Sequence, residues 1–369
     1  MFVTSLDSRL MDIFHHLHTH AEVSWKETET TAYLADLLTK EGLSVRTFPD
    51  CTGLVAEIGS GKPVIAVRAD IDALWQEVNG TFQANHSCGH DAHMTIAIGT
   101  ILQLKDQVTQ GTVRFIFQPA EETGSGAVKM VEKGVVDDAD YLFGMHLRPE
   151  EELPFGKMAP SICHGAAAFL SGKLTGGDAH GARPHQGTNA IDVLTALNEQ
   201  LKTIYLSPFE TYSVKMTRLE AGGQSLNIIP GSASFGLDVR AQKNDTLSEL
   251  QQKVEEKIHG VSQLFQADIE FDWRDITPGA EVAPEAEEWL RQAIKAHGGE
   301  DMLAPPVVTS GSDDFHFYTI KQPHVKAAML GIGASLTPGL HHPNMTFDQR
   351  VIPMSSDILA RAILLALQA

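Results

Sequence analysis

Residues 85–93, Asn-His-Ser-Cys-Gly-His-Asp-Ala-His, stand at the foot of an apolar run that continues from Met94 to Leu104. This short stretch offers a thiol, three imidazoles and a carboxylate. Ordinary cores rarely tolerate such groups unpaired, because each buried polar group must find a partner. The stretch therefore predicts the floor of a metal site.

Length, charge and cysteine content restrict the class of protein. With 369 residues, 43% of them hydrophobic, the chain is long enough for two domains with separate cores. A net charge of -19 argues against a nucleic-acid partner. The three cysteines are odd in number and widely spaced, which favours a reducing compartment. Residues 1–7 lack an export-leader pattern and no apolar run reaches membrane-spanning length, so we expect a cytoplasmic protein without a membrane partner.

The outer parts of the chain alternate helical and strand patterns. Helices are predicted at 6–20, 30–41, 126–133, 285–297 and 355–368, and strands at 54–58, 64–68, 113–117, 141–145 and 325–330. Glu121 and Glu122 follow the strand at 113–117, and the strand at 141–145 stops at His146. Such α/β proteins place their chemistry at the carboxyl ends of strands, so these three side chains are candidates for one site.

From Gly165 the order of patterns changes. The predicted elements are a strand at 168–174, a helix at 189–205, strands at 212–220 and 232–240, a helix at 246–265 and a strand at 268–273. This β-α-β-β-α-β order is the ferredoxin-like plan. The sequence therefore predicts an α/β protein in which a domain at 165–278 is inserted into a first domain formed by 1–164 and 279–369.

A hydrolase that uses water held at a metal needs several ligands, an open coordination position and a carboxylate that is not a ligand. The candidates are Cys88, His90, Glu121, Glu122, His146, His341 and His342. Neighbouring side chains at a strand end point in different directions, so Glu121 and Glu122 can divide the two carboxylate tasks. Each candidate also has a plainer interpretation, as a buried thiol, a solvated acid pair or loop histidines.

Several segments, in order and over nearly the whole chain, resemble the metal-dependent aminoacylase and carboxypeptidase-like amidohydrolases. They are Arg68–Leu74, Cys88–His93, Gln118–Glu122, Gly144–His146, Gly176–His185 and Leu340–Pro343. That family includes hippurate hydrolases, N-acyl-amino-acid deacylases and hydrolases of auxin conjugates. The resemblance implies a two-metal catalytic domain with a mixed sheet flanked by helices, and an inserted lid that also forms a homodimer interface.

Carried over position by position, the resemblance also implies roles for the candidates. The implied metal ligands are Cys88, His90, Glu122, His146 and His341. Glu121 is the implied general base, and Cys88 would bridge the two ions where relatives outside this subgroup use an aspartate. His342 stays an alternative to His341, because the family pattern is Leu-His-any-Pro and both positions are histidines here.

Three residues of the inserted domain are implied to act on the substrate. His180 would stabilise the oxyanion, in its own or the partner's active site, with His185 as the alternative. Asn227 and Arg240 would bind the substrate carboxylate, a task that suits the two-pronged geometry of arginine. The plainer interpretation of Arg240 is a surface strand residue.

We therefore expect an enzyme that hydrolyses the amide bond of small N-acyl amino acids, with water activated by Glu121. The mixed donors suit two divalent ions, zinc or manganese first, with cobalt or nickel as alternatives. A dipeptidase or carboxypeptidase is the nearest rival. A binding protein that kept the fold is a more distant one, because it would have no need of Glu121. Trp75 stands where the family usually has proline, close to the expected pocket, and leaves the substrate preference open.

Overall fold

The computed structural model describes residues 5–369. The helices in this part are α1 (Ser5–Thr19), α2 (Thr28–Lys40), α3 (His90–Leu104), α4 (Gly126–Glu132), α5 (Ala190–Leu201), α6 (Asn244–Phe265), α7 (Pro284–Gly298), α8 (Phe317–Lys321) and α9 (Val351–Ala366). The strands are β1 (Ser44–Thr47), β2 (Leu54–Ser60), β3 (Val64–Asp70), β4 (Leu74–Val78), β5 (Thr81–Asn85), β6 (Gly111–Gln118), β7 (Tyr141–Pro149), β8 (Met158–Ala159), β9 (Ile162–His164), β10 (Ala166–Thr175), β11 (Ala179–His180), β12 (Tyr212–Ala221), β13 (Ile228–Ile229), β14 (Ala233–Ala241), β15 (Asp268–Thr277), β16 (Val307–Thr309) and β17 (Lys326–Leu336). Residues 1–4, on which part of the export-leader prediction depends, lie outside this range.

The first compact unit is built on a mixed sheet of seven strands, in the order β1-β2-β6-β3-β7-β17-β8. The four central strands, β6, β3, β7 and β17, run parallel, whereas the strands at both edges pair antiparallel. The central strands are almost entirely buried, as expected for parallel strands covered on both faces. The predicted mixed sheet flanked by helices is confirmed.

Alternate residues of the central strands feed two hydrophobic clusters on opposite faces of this sheet. Ile65 and Val67 of β3 join the larger cluster, with α1, α2, α3, α7 and α9. Val64 and Ala66 join the other, with α4 and α8. This packing brings the carboxyl ends of β3, β6 and β7 to one edge of the sheet, where the chemistry-bearing loops begin.

The second compact unit has a four-stranded antiparallel sheet in the order β12-β14-β10-β15. Its connection β10-α5-β12-β14-α6-β15 is the ferredoxin-like order that the sequence predicts. Residues of β14 alternate between buried and half-buried, so one face packs on α5 and α6. The ferredoxin-like fold of the insertion is confirmed.

The two units have slightly different bounds from those that the sequence suggests. Within residues 5–369, the first unit comprises residues 5–163, 281–308 and 313–369, and the second comprises 164–280 and 309–312. The sequence placed residues 309–312 with the first domain. In the structure the N–H of Gly165 donates to the carbonyls of Thr309 and Gly311, both at 3.0 Å. These hydrogen bonds tie the segment to the second unit. The functional roles of the units stay predictions.

Three predicted element bounds were wrong for physical reasons: the carboxyl ends of β7 and β17 and the start of α9. Strand β7 does not stop at His146 but continues to Pro149, because it keeps pairing with β17, itself six residues longer than predicted at its carboxyl end. Helix α9 begins at Val351 rather than Ser355 and includes Pro353. Proline is tolerated in the first turn of a helix, where its missing N–H would have no acceptor. Within residues 5–369, every helix is too short or too polar to cross a bilayer.

Candidate metal centre

The segment between β5 and α3 places a thiol and an imidazole at one end of the buried helix. Cys88 and His90 flank Gly89, which has a positive φ of 84°. The positive φ favours glycine, and a Cβ here would also lie 2.8 Å from Leu147 Cδ1 and displace that side chain. The turn thereby directs both flanking side chains toward the carboxyl ends of β6 and β7.

Two groups of potential ligands share the Cys88 thiol. In one, Cys88 lies with His90 and His146; in the other, it lies with Glu122 and His341. Within each group the ligand atoms are all within 4.8 Å of one another. Residues far apart in the chain therefore converge in the first unit, and the shared thiol is placed where a bridging ligand would stand.

The two histidines of the first group are held by their outer nitrogens. His90 Nδ1 lies 2.9 Å from the carbonyl of Asp72 and His146 Nδ1 lies 2.6 Å from the carbonyl of Leu147. A carbonyl can only accept, so Nδ1 carries the hydrogen and Nε2 of each ring faces the centre. Metal-binding histidines are oriented in this way in proteins.

The turn after β6 carries both candidate glutamates, Glu121 and Glu122. Ala120 adopts φ 53°, and Glu121 and Glu122 follow in a short 3₁₀ turn. The backbone N–H of Glu122 donates to Asp72 Oδ2 at 3.0 Å, while its Oε2 lies 3.4 Å from His341 Nε2. Glu122 thus joins the ligand group, as the strand-end geometry suggests.

The two neighbouring histidines near the end of the chain differ in their contacts. His341 Nε2 faces Glu122, whereas His342 Nδ1 accepts a hydrogen bond from the N–H of Asn344 at 3.1 Å. His342 is thereby engaged within its own loop. The geometry favours His341 over His342 as a ligand.

The donor set fits a cation. His90 Nε2 and Glu122 Oε1 are buried without a hydrogen-bond partner and lie 3.9 Å apart. Burial, and then Glu122, raises the pKa of the Cys88 thiol well above its ordinary value, and burial also raises the pKa of Glu122. Burial lowers the pKa of His146 well below its ordinary value, which leaves it neutral, as a ligand must be. A divalent ion would satisfy the unpartnered atoms and favour the thiolate.

Glu121 shares one neighbour with Glu122, because His90 Nε2 lies 3.9 Å from a carboxylate oxygen of each, but Glu121 also faces a second set of side chains. Its carboxylate lies within 4.8 Å of those of Asp313 and Asp314. Burial, and then these two aspartates, raises the pKa of Glu121 well above its ordinary value. A buried carboxyl with a raised pKa can take a proton and release it again, which is what a general base must do.

Asp313 and Asp314 were missed by the sequence analysis. Asp314 accepts from Arg68 at 2.7 Å and from Gln118 Nε2 at 2.9 Å, and burial raises its pKa to about 7. The missed signal is Arg68, which sits within the apolar run of β3 and is fully buried. A buried arginine requires acidic partners, and in the structure these are Asp70, Asp313 and Asp314.

Not every imidazole in residues 85–93 is available to bind an ion. His93 Nδ1 donates to Asp70 at 2.7 Å and its Nε2 accepts from the N–H of Leu147 at 3.1 Å. Both ring nitrogens are therefore used within the protein, although the ring lies near His90. His93 connects the helix to β3 and β7 and has no lone pair left for an ion.

The three predicted substrate residues lie in the second unit. His180 is exposed on β11, with Nδ1 accepting from the N–H of Ala182 at 3.0 Å. Strand β11 pairs with β13, and Gly181 N donates to the carbonyl of Asn227 at 2.7 Å, so His180 and Asn227 share one ribbon. Arg240 lies instead on β14 of the larger sheet, with Nε 2.9 Å from Asp238. The structure brings the first two together and places Arg240 on another sheet.

Trp75 does not face the ligand loop. In the β4–β5 hairpin, alternation places Trp75 on one face and Gln76 on the other, and Gln76 Nε2 donates to the carbonyl of His341. The indole is 63% exposed. The expectation that Trp75 lies close to the pocket stays a prediction.

A mixed sheet flanked by helices, with two groups of potential ligands that share one thiol and a further acid beside them, is the arrangement expected of a metal-dependent amidohydrolase. The chain belongs to peptidase family M20/M25/M40, whose sequence model matches residues 66–365. The expected family resemblance and the hydrolysis of amide bonds are thereby confirmed.

Relatives cover almost the whole chain. N-acetylcysteine deacetylase of Bacillus subtilis is 30% identical, covering 98% of this chain and 97% of the relative. The IAA-amino acid hydrolase ILR1-like 4 of Arabidopsis thaliana is 28% identical, covering 98% and 87%. Among solved structures, a dinuclear metal-binding peptidase of the M20 family from Bacillus subtilis is 28% identical, with a TM-score of 0.85 and 99% of each chain covered. The fold is thus that of dinuclear metal-binding hydrolases.

Proposed function

We propose that this chain hydrolyses the amide bond between an acyl group and the amino group of an amino acid. The observation that carries the proposal is Glu121, a largely buried carboxyl that lies near His90 and Glu122 but belongs to neither of the two groups that share the Cys88 thiol. Its position suits proton transfer to and from a reacting water. The names of the relatives, a deacetylase of an N-acetyl amino acid and a hydrolase of an auxin–amino acid conjugate, support the substrate class.

Two divalent ions would be held by Cys88, His90 and His146 on one side and by Cys88, Glu122 and His341 on the other. When bound, they supply Lewis acidity and lower the pKa of water. The thiolate, imidazole and carboxylate donors suit zinc or manganese, with cobalt or nickel as alternatives.

Proton transfer falls to Glu121. It takes a proton from the water whose oxygen forms the new bond to the amide carbon, and it delivers that proton to the nitrogen as the carbon–nitrogen bond breaks. The products are a carboxylic acid and a free amino acid. The nearby Asp313 and Asp314 favour the protonated form of Glu121 and hence its second role, as a proton donor.

The second unit supplies the remaining contacts in this proposal. His180 donates to the developing oxyanion, and Asn227 and Arg240 bind the substrate carboxylate. We also propose a homodimer through this unit, since Phe209 and Leu226 are 93% and 99% exposed and β12 is an open sheet edge. A ligand thiol is best preserved in a reducing compartment, which favours the cytoplasm.

The test is a substrate panel. Protein reconstituted with Zn²⁺ or Mn²⁺ is assayed side by side on N-acetyl, N-benzoyl and indole-acyl amino acids and on dipeptides. Turnover confined to the N-acyl amino acids supports the proposal. Preference for dipeptides would replace it with a dipeptidase or carboxypeptidase, and no turnover of any amide by protein with both ions bound would leave a binding protein.

A further inference from the structure

The backbone of His341 is in an unfavourable conformation. Its φ is +64°, in the left-handed region that side chains other than glycine rarely adopt. Such a conformation persists only where the surroundings hold it. Because the imidazole of His341 lies with Cys88 and Glu122, whatever holds this backbone also places a proposed metal ligand.

Both backbone polar groups of His341 are bonded to one short segment of chain. Its N–H donates to the carbonyl of Ser87 at 2.9 Å. Its carbonyl accepts from Gln76 Nε2 at 2.8 Å. The partners lie on β4 and just after β5, so the hairpin and the residues that follow it enclose the peptide unit from both sides.

The amide of Gln76 is itself oriented by the same segment. Its Oε1 accepts from Ser87 Oγ at 2.8 Å and from Asn85 Nδ2 at 3.1 Å. Asn85 Nδ2 also donates to the carbonyl of Pro343 at 3.0 Å, two residues beyond His341. With its oxygen engaged by two donors, the Gln76 amide can present only its NH₂ to His341.

This segment continues directly into Cys88, the thiol common to both ligand groups. The hydrogen bonds of Gln76 and Ser87 therefore tie the His341 backbone to the chain that carries Cys88. The spacing between the thiol and the imidazole is set by this short connection rather than by the long path through the sequence between them. Loss of the Gln76 donor would free the carbonyl of His341 and relax the left-handed backbone.

We propose that Gln76 is a positioning residue for the ion site formed by Cys88, Glu122 and His341, because it holds His341 in register with the other two ligands. The proposal rests on the ligand assignment in the proposed function and goes beyond it, because Gln76 touches neither ion nor substrate. Residues that support metal ligands in this way typically change metal affinity by about 10- to 100-fold.

The experiment compares two variants with a matched control. Gln76→Glu keeps the acceptor oxygen but cannot donate to His341, and Gln76→Met removes donor and acceptor without adding charge. Gln83→Glu is the control, because Gln83 pairs directly with Gln76 across the hairpin and is exposed. Zn²⁺ binding is titrated against a chromophoric chelator to resolve the two steps, and Co²⁺ absorption spectra report the geometry of each bound ion.

We expect both Gln76 variants to weaken the binding of one ion by about 10- to 100-fold, to leave the binding of the other ion unchanged, and to alter only the Co²⁺ bands of the weakened ion. Gln83→Glu should match the unsubstituted protein. Two unchanged steps in the Gln76 variants would overturn the proposal, and so would an equal weakening of both steps, which would indicate general damage to the hairpin.

The proposed function is judged separately, by turnover of the substrate panel in the unsubstituted protein. If that protein binds two ions but hydrolyses no N-acyl amino acid, the function fails while the role of Gln76 stands or falls on the titration. If the panel is hydrolysed and the Gln76 titration is unchanged, the positioning role alone is wrong.

Discussion

The candidate ligands of the first unit and the predicted substrate residues of the second are held very differently. His90 and His146 are buried, and each is oriented by a hydrogen bond from its outer nitrogen. His180 is exposed on a strand of two residues, where its Nδ1 accepts a hydrogen bond from a neighbouring N–H. The first arrangement is organised before any substrate binds, whereas the second leaves its imidazole accessible to one. Metal binding and substrate binding should therefore respond to different substitutions.

The largest expected effect distinguishes the role of Glu121 from that of Glu122 within the first unit. Glu121→Gln removes the proton acceptor, so kcat should fall by about 100- to 10,000-fold while both ions stay bound. Glu122→Gln, the matched change one residue away, should instead lower metal content, because Glu122 lies in the ligand group. Steady-state kinetics and metal analysis of dialysed protein measure both. Normal turnover by Glu121→Gln would eliminate it as the base.

In the second unit, the imidazole of His180 should matter for turnover but not for metal. Loss of a single oxyanion donor costs on the order of a hundredfold or more in kcat, so His180→Ala should show such a loss with unchanged metal content. His185→Ala, in the neighbouring 3₁₀ turn, is the control. If His185→Ala loses turnover and His180→Ala does not, His185 is the oxyanion donor. If both variants are as active as the parent, the second unit does not supply the donor.

Much of the fold could be predicted from the sequence because its signals are local. The alternation of strand and helix patterns in 165–278 is enough to give the ferredoxin-like order, which the structure confirms. The extension of β7 past His146 could not be predicted, since it depends on pairing with β17, a strand almost 180 residues further along the chain. Long-range pairing decides where a strand ends, and periodicity does not report it.

The candidate site was predictable to a different degree. Cys88, Glu122 and His341 were candidates from their chemistry, and their grouping as ligands was implied by the family resemblance; which of them bind ions stays a prediction. The sequence could not show that both nitrogens of His93 are already bonded, because its partners lie on two other strands. Nor could it reveal Asp314, which follows a short glycine- and serine-containing segment typical of a surface turn.

Removal of the ions should destabilise the first unit selectively, since all the proposed ligands belong to it. With free ion at a hundredfold excess over Kd, binding stabilises the folded state by about 2.7 kcal/mol per site, and a chelator should remove this contribution. Hydrogen exchange with and without chelator, compared between α3 and α6, measures the effect in each unit. Equal changes in the two helices would show that the units do not unfold separately and would break the contrast.

The smallest expected effect concerns the ion pair between His18 of α1 and Asp91 of α3. His18 Nδ1 lies 2.7 Å from Asp91 Oδ2, and this hydrogen bond raises the pKa of His18. A raised pKa in the folded state means that the pair stabilises the protein fully below the unfolded value near 6.5 and loses this contribution as the pH rises through the folded value. The His18 side chain is 52% exposed, so solvent screening limits the gain to less than about 1 kcal/mol.

His18→Ala should accordingly cost more stability at pH 5.5 than at pH 8.5, as measured by denaturant unfolding of the ion-loaded protein. His15→Ala, at an exposed position of the same helix, should show no such difference between the two pH values. The ring of His18 also stacks on Phe14, with centroids 5.6 Å apart. An equal loss at both pH values would therefore attribute the whole contribution of His18 to this stacking and none to its charge, because ring packing does not depend on the proton while the pair with Asp91 does.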